Sequence, residues 1–238
     1  MLTRSEILAE HEAVVYIIDG AGGSGFTPVV IRRVLAGLPY AVVHFRWGTG
    51  YMRIISDLTN RENLSNKSNE LSSTIAEYRK SNPNHRIYIV AKSAGTAVAL
   101  NALAKLPEDT VDRVILMSPA VSPTFPLVDS LRAVRGDVIS FCSARDVLFL
   151  HLGTSLFGTA DGIKGIGAGL RGFSKPLDAE SLAHQYAKLH EIHWEPAMMK
   201  LMHFGDHSGN SMPLFVQRYI LPLLKDKSVS EVRAGELA

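Results

Sequence analysis

The sequence predicts an α/β protein: a doubly wound, mostly parallel sheet of about six strands with helices on both faces. Three observations carry this expectation. Short β-branched runs alternate with longer helical patterns along the 238 residues. The runs at 13–18, 40–45, 86–90, 111–117 and 137–142 are nearly continuous in apolar residues, as parallel strands covered on both faces must be. A hydrophobic share of 46% against 20% charged suits one well-buried core. A sixth strand is expected at 191–194.

The helices follow in order. Thr27-Pro28 supplies an N-cap and a first-turn proline, after which Val29, Val30, Ile31, Val34 and Leu35 recur as one apolar face. Residues 62–80 form a long polar helix with Leu64, Leu71, Ile75 and Tyr78 as its buried stripe, ended by Ser81-Asn82-Pro83-Asn84. Residues 94–106 are rich in Ala and Leu and stop at Pro107. Further helices are expected at 178–189 and 214–224, the last despite Pro222. Residues 153–172 hold seven glycines, which disfavour a regular helix and predict a long irregular excursion, either a lid or pocket wall or a plain surface loop. Residues 226–238 are polar and are expected to fray, leaving a single domain over 1–225.

Composition excludes several classes of function. The formal net charge is +2, and Lys and Arg are scattered singly, so no basic patch for nucleic acid is visible. No run approaches the roughly 20 apolar residues of a membrane helix. The first residues lack the apolar stretch of a secretory signal, and Cys142, the single cysteine, reads as a buried thiol. A cytoplasmic setting is the expectation.

The sharpest signal is Ile87-Tyr88-Ile89-Val90-Ala91-Lys92-Ser93-Ala94-Gly95-Thr96-Ala97-Val98. A buried strand runs through Ala-x-Ser-x-Gly straight into an alanine-rich helix, the setting of a serine on a tight strand-to-helix turn. Small neighbours are needed because such a turn packs closely. The helix N-terminus would point its amides at the serine oxygen and stabilise an oxyanion. The plain alternative is a serine in an ordinary β–α turn.

From these residues the chain, over roughly 13–224, resembles the α/β-hydrolase superfamily of serine hydrolases. The resemblance implies the chain order serine, acid, histidine. Asp146 lies just past the strand that ends at Cys142, where the acid normally sits. His207, in His203-Phe204-Gly205-Asp206-His207-Ser208-Gly209, lies before the last helix, where the base belongs. The alternatives are a surface ion pair between Asp146 and Arg145, and His203 in place of His207. His151, His190 and His193 read as packing or solvent residues. By position, Ala21 in the glycine-rich turn after the first strand would supply a second oxyanion amide beside that of Ala94.

That turn also matches G-x-G-x-x-G at Gly20, Gly22 and Gly25, so an NADP-binding Rossmann oxidoreductase is the rival, with Arg46 placed to meet a 2′-phosphate. Against it, Thr27-Pro28 puts the helix start after the last glycine. The resemblance has departures: the chain opens at what would be the superfamily's third strand, Asp19-Gly20 stands for the usual His-Gly, and Lys92 brings a positive charge beside the serine. No large cap fits between the strands, so loops must build the pocket, with Lys92, Trp47 and Phe157 as candidate linings. The resemblance thus implies a serine esterase working through an acyl-enzyme on a small-molecule acyl substrate, without metal or organic cofactor. A catalytically silent binding protein of the same fold is the other alternative.

Overall fold

The computed structural model describes residues 11–147, 159–163, 165–175 and 182–234. Phe157 and His151 lie outside the described residues, as do parts of the glycine-rich segment and residues 178–181 of the expected helix.

Six strands form one parallel sheet: β1 (Ala13–Ile18), β2 (Tyr40–Phe45), β3 (Arg86–Lys92), β4 (Arg113–Met117), β5 (Val138–Cys142) and β6 (Leu189–His193). Their order is β2-β1-β3-β4-β5-β6, and every neighbouring pair is parallel. The chain steps outward from β1 to β2 and then returns to build the other side from β3. The direction therefore reverses between β1 and β3, and the crevice beyond their carboxyl ends is where doubly wound sheets bind ligands.

The helices are α1 (Phe26–Val34), α2 (Ile54–Thr59), α3 (Arg61–Ser81), α4 (Gly95–Leu103), α5 (Val128–Arg132), α6 (Ala168–Arg171) and α7 (Ala183–Tyr186). Next comes α8 (213–224), which is α-helical at Pro213–Phe215, π-helical over Val216–Ile220 and α-helical again at Leu221–Leu224; α9 (Val229–Ala234) follows it.

Both faces of the sheet are buried, which explains the unbroken apolar strands. On one face Val14, Tyr16, Ile18, Ile87 and Ile89 pack with Leu71 and Ile75 of α3 and Val98 of α4. On the other, Val15, Ile17, Tyr88 and Val90 meet Ile31 of α1 and Phe215, Tyr219 and Ile220 of α8. Cys142 is buried, and burial pushes its thiol up to about 12, so it stays protonated. Among the described residues no helix is long and apolar enough to cross a membrane.

Several expectations need correction. Gly25, in the left-handed region at φ 71°, caps α1, so the helix starts ahead of Thr27. The Thr27 hydroxyl turns inward to Ser211 Oγ at 3.1 Å. Val29 is exposed, while Val30, Ile31 and Leu35 are buried. Leu189 belongs to β6 rather than to a helix. The stretch after Asp226 is not simply a frayed tail, because α9 buries Val229 and Val232 against the α8 side of the core. A π-helical stretch ends at Ile220, two residues before Pro222, whose missing N–H and bulky ring disturb regular α-helical bonding.

Candidate active site

Everything of interest stands at the carboxyl edge, around the β1–β3 crevice. β3 ends at Lys92, and Ser93 makes the turn into α4 with φ 51°, a left-handed conformation costing a non-glycine residue on the order of 1 kcal/mol. The surroundings hold it there. Ser93 N–H donates to the Met117 carbonyl at 2.9 Å, and its own carbonyl accepts from Thr96 N–H at 3.0 Å and Thr96 Oγ1 at 2.6 Å.

The glycine of Ala-x-Ser-x-Gly has a direct steric reason. A Cβ on Gly95 would lie 2.3 Å from the Asp19 carbonyl oxygen and 2.8 Å from that of Ile18. Gly95→Ala is therefore expected to destabilise the fold by more than about 3 kcal/mol, read as a loss of thermal midpoint. Ala91, by contrast, sits within β3 between Ile18 and Leu116, where a methyl fits. That is why alanine serves where many such turns carry glycine.

The turn after β1 is shaped by two buried carboxylates: Asp19, whose bonding role the sequence does not reveal, and Asp57, which sequence reasoning missed. Asp19 accepts from Gly20 N–H at 2.9 Å and Gly25 N–H at 2.8 Å. Asp57, 1% exposed, accepts from Gly22 N–H at 2.8 Å, Thr49 N–H at 2.6 Å and Thr49 Oγ1 at 2.8 Å, tying this turn to the loop after β2. Asp57 sits in α2, a helix too short to leave a periodic trace in the sequence. Gly20 thus packs close to the serine: a Cβ there would be 3.2 Å from Ser93 Cβ. Among the described residues the amides of Ala21 and Ala94 donate to no protein acceptor, unlike those of Gly20, Gly22 and Gly25.

This arrangement weighs against the dinucleotide reading. The amides that would cradle a pyrophosphate already bind the protein's own carboxylates, whose charge repels phosphate. A Tyr-x-x-x-Lys spacing of the short-chain dehydrogenase type does occur, at Tyr88 and Lys92. It lies on strand β3, however, and the Tyr88 hydroxyl bonds Asp226 at 2.8 Å.

Asp146 follows β5 and is 2% exposed. Its backbone N–H donates to Ser143 O at 3.1 Å, and Ser143 Oγ donates to Gly205 O at 2.7 Å, joining the Asp146 turn to the loop that carries His207. His207 Nδ1 lies 2.6 Å from Asp146 Oδ2, and its Nε2 lies 2.8 Å from Ser93 Oγ. With Nδ1 protonated, the imidazole donates to the carboxylate and accepts from the serine hydroxyl. Arg145 points elsewhere, its guanidinium 4.8 Å over the Trp194 ring. Burial, then the nearby Lys92 charge, lowers the His207 pKa below the ordinary 6.5.

Lys92, a candidate pocket lining from the sequence, turns away from the pocket instead. It is buried, donating to the His207 carbonyl and to Asn210 Oδ1 at 2.5 Å, and Asn210 Nδ2 donates on to Ser118 Oγ at 2.8 Å. Burial lowers the Lys92 pKa to about 8. Lys92 fastens the His207 loop to the serine turn.

Trp47 is likewise buried in the core, its indole N–H donating to the Asp19 carbonyl at 2.7 Å. It borders a trough of about 1390 Å³ along β2 that Ser93, Asp146 and His207 do not line. His203 does not reach the serine. It is buried edge-on against Phe215, and burial lowers its pKa to about 4. His190 bonds Asp137 at 3.1 Å, and His193 is exposed. The described part of the glycine-rich excursion is tied down along the loop after β4, through Ala160 N–H to Ala120 O at 2.8 Å and Gly169 N–H to Pro119 O at 2.8 Å.

The chain is similar in structure to known proteins, and the architecture is shared with one that superposes above a TM-score of 0.5. The poly(3-hydroxybutyrate) depolymerase LpqC of Bordetella parapertussis superposes with a TM-score of 0.54 at 12% identity, covering 94% of this chain and 83% of its own. An esterase of Pyrococcus furiosus matches at TM-score 0.44 and 11% identity, over 93% and 82% of the two chains. A Trichoderma reesei cutinase bound to a phosphonate inhibitor matches at 0.42 and 13%, over 74% and 75%. At 12% identity the likeness to LpqC is one of fold. No curated protein matches the chain. Residues 26–145, half of the sequence, match the family described as alpha/beta hydrolase of unknown function (DUF900), and the chain belongs to that family.

Proposed function

We propose that the protein is a serine hydrolase that cleaves a carboxylic ester through an acyl-enzyme. The observation that carries this is the chain of contacts from Ser93 Oγ to His207 Nε2 at 2.8 Å and from His207 Nδ1 to Asp146 at 2.6 Å, beginning on a left-handed serine.

Ser93 Oγ attacks the ester carbonyl as its proton passes to His207 Nε2. Asp146 holds the imidazole in the required tautomer and stabilises the imidazolium. The carbonyl π electrons move to oxygen, and that oxyanion is met by the Ala21 and Ala94 amides at the positive end of α4. Collapse expels the alkoxide, which takes the proton from His207 and leaves as the alcohol. Water then repeats the sequence on the acyl-serine: His207 accepts its proton, the second tetrahedral intermediate collapses, and Ser93 recovers its hydrogen as the carboxylic acid departs.

A fluorophosphonate probe supplies the test. Labelling at Ser93 with turnover of chromogenic esters is expected; NADPH binding with no labelling would instead revive the oxidoreductase, and neither would leave a silent binding protein.

A pH profile follows from the electrostatics. His207 must be neutral to act as base, and its pKa is depressed, so kcat/KM is expected to rise through a value below 6.5 and stay high at neutral pH. Lys92→Met removes one cause of that depression and releases the His207 loop. Its acid limb should move to higher pH and its kcat should fall by about 100-fold. An unchanged profile would show that Lys92 does not govern the base.

A further inference from the structure

We propose that the edge of the molecule around Ser93 docks on an anionic lipid surface, from which the hydrolase takes its ester. The inference rests on the reading of Ser93 as a nucleophile.

Its basis is where the protein exposes large apolar side chains. Among the described residues all of them follow the carboxyl end of a strand. Phe26 and Val29 open α1 after β1, and Tyr51, Met52, Ile54 and Ile55 follow β2. Val147 and Ile163 come after β5, while Met199, Met202, Phe204 and Leu214 come after β6. The opposite edge is built differently, with the ion pairs Arg79–Asp112, Arg135–Asp112, Arg113–Asp137 and Lys188–Asp109. Such polarity is not what a surface of scattered exposed residues shows, and it marks an interaction face.

The loops concerned touch one another around the site. Met52 N–H donates to Gly22 O at 2.9 Å, and a Cβ on Gly22 would strike Ile54, so the β2 loop packs on the turn beside Ser93. Thr27 bonds Ser211, close in sequence to Leu214, and Gly205 abuts Arg145, close to Phe204 and Val147.

Two further features select the partner. Cations are interleaved with the apolar residues: Arg53 lies between Met52 and Ile54, Lys200 lies between Met199 and Met202, and both are exposed. Apolar side chains that enter a bilayer boundary beside cations that meet its headgroups are the pattern of interfacial binding to anionic lipid. A protein partner seated here would also cover Ser93 and His207, whereas a lipid phase delivers substrate to them.

The test uses the whole chain, together with the variants Tyr51→Ser/Ile55→Ser and Met202→Ser/Phe204→Ser, all at exposed positions. Flotation with phosphatidylcholine vesicles, with and without phosphatidylglycerol, should carry the wild type upward with the anionic vesicles. Each variant should bind about tenfold more weakly, with turnover of a water-soluble ester unchanged. Flotation that is absent in the wild type, or equal in the variants, would overturn the proposal. So would wild-type self-association in sedimentation that the variants abolish, since the face would then join two copies. Fluorophosphonate labelling runs in parallel: vesicle binding without labelling refutes the nucleophile, and labelling without vesicle binding refutes only the lipid surface.

Discussion

Ser93→Ala is expected to lower ester turnover by about five orders of magnitude, with the thermal midpoint nearly unchanged. The size of the loss follows from the geometry. The Ser93 hydroxyl stands 2.8 Å from His207 Nε2, and its removal takes away the oxygen that the imidazole would activate for attack on the ester. The fold should tolerate the change because the hydrogen bonds of the turn are made by the Ser93 backbone and by Thr96, not by the Ser93 hydroxyl. Steady-state turnover of a chromogenic ester, with circular dichroism on the same samples, checks both halves. A variant with near-normal turnover would remove Ser93 from the mechanism.

Asp146→Asn comes next, with an expected loss of about four orders of magnitude in kcat. Asparagine keeps the shape but presents an amide where the carboxylate accepted, which favours the wrong imidazole tautomer and withdraws support from the imidazolium. Asp146 is 2% exposed and His207 largely buried, so water cannot readily replace the lost charge. Measured kcat near that of the wild type would assign the acid role to another residue.

How much of this was legible in the sequence depended on the range of the interaction concerned. Strands covered on both faces write their burial directly into composition, so β1, β3, β4 and β5 are legible as continuous apolar runs, and the half-buried edge strand β2 keeps enough of the pattern to be read with them. α3 was read from Leu64, Leu71, Ile75 and Tyr78 because its length of 21 residues repeats the pattern several times. Ser93, Asp146 and His207 are singled out by the chain order that the resemblance implies, and the structure places His207 within hydrogen-bonding distance of both Ser93 and Asp146. Side-chain direction was not legible. Lys92 adjoins Ser93 in sequence and Trp47 follows the carboxyl end of β2, yet each turns inward to hold a loop carbonyl, at His207 and Asp19 respectively. Asp57 was invisible because its partners, Gly22 and Thr49, are brought to it only by the packing of two loops.

The most direct test is pre-steady-state turnover of an activated p-nitrophenyl ester, combined with peptide mass mapping of protein quenched during the burst. A burst approaching one nitrophenol per chain is expected, with an acyl group on the peptide bearing Ser93. Nitrophenol release without a covalent acyl group, or with the group on another residue, would contradict the proposed mechanism.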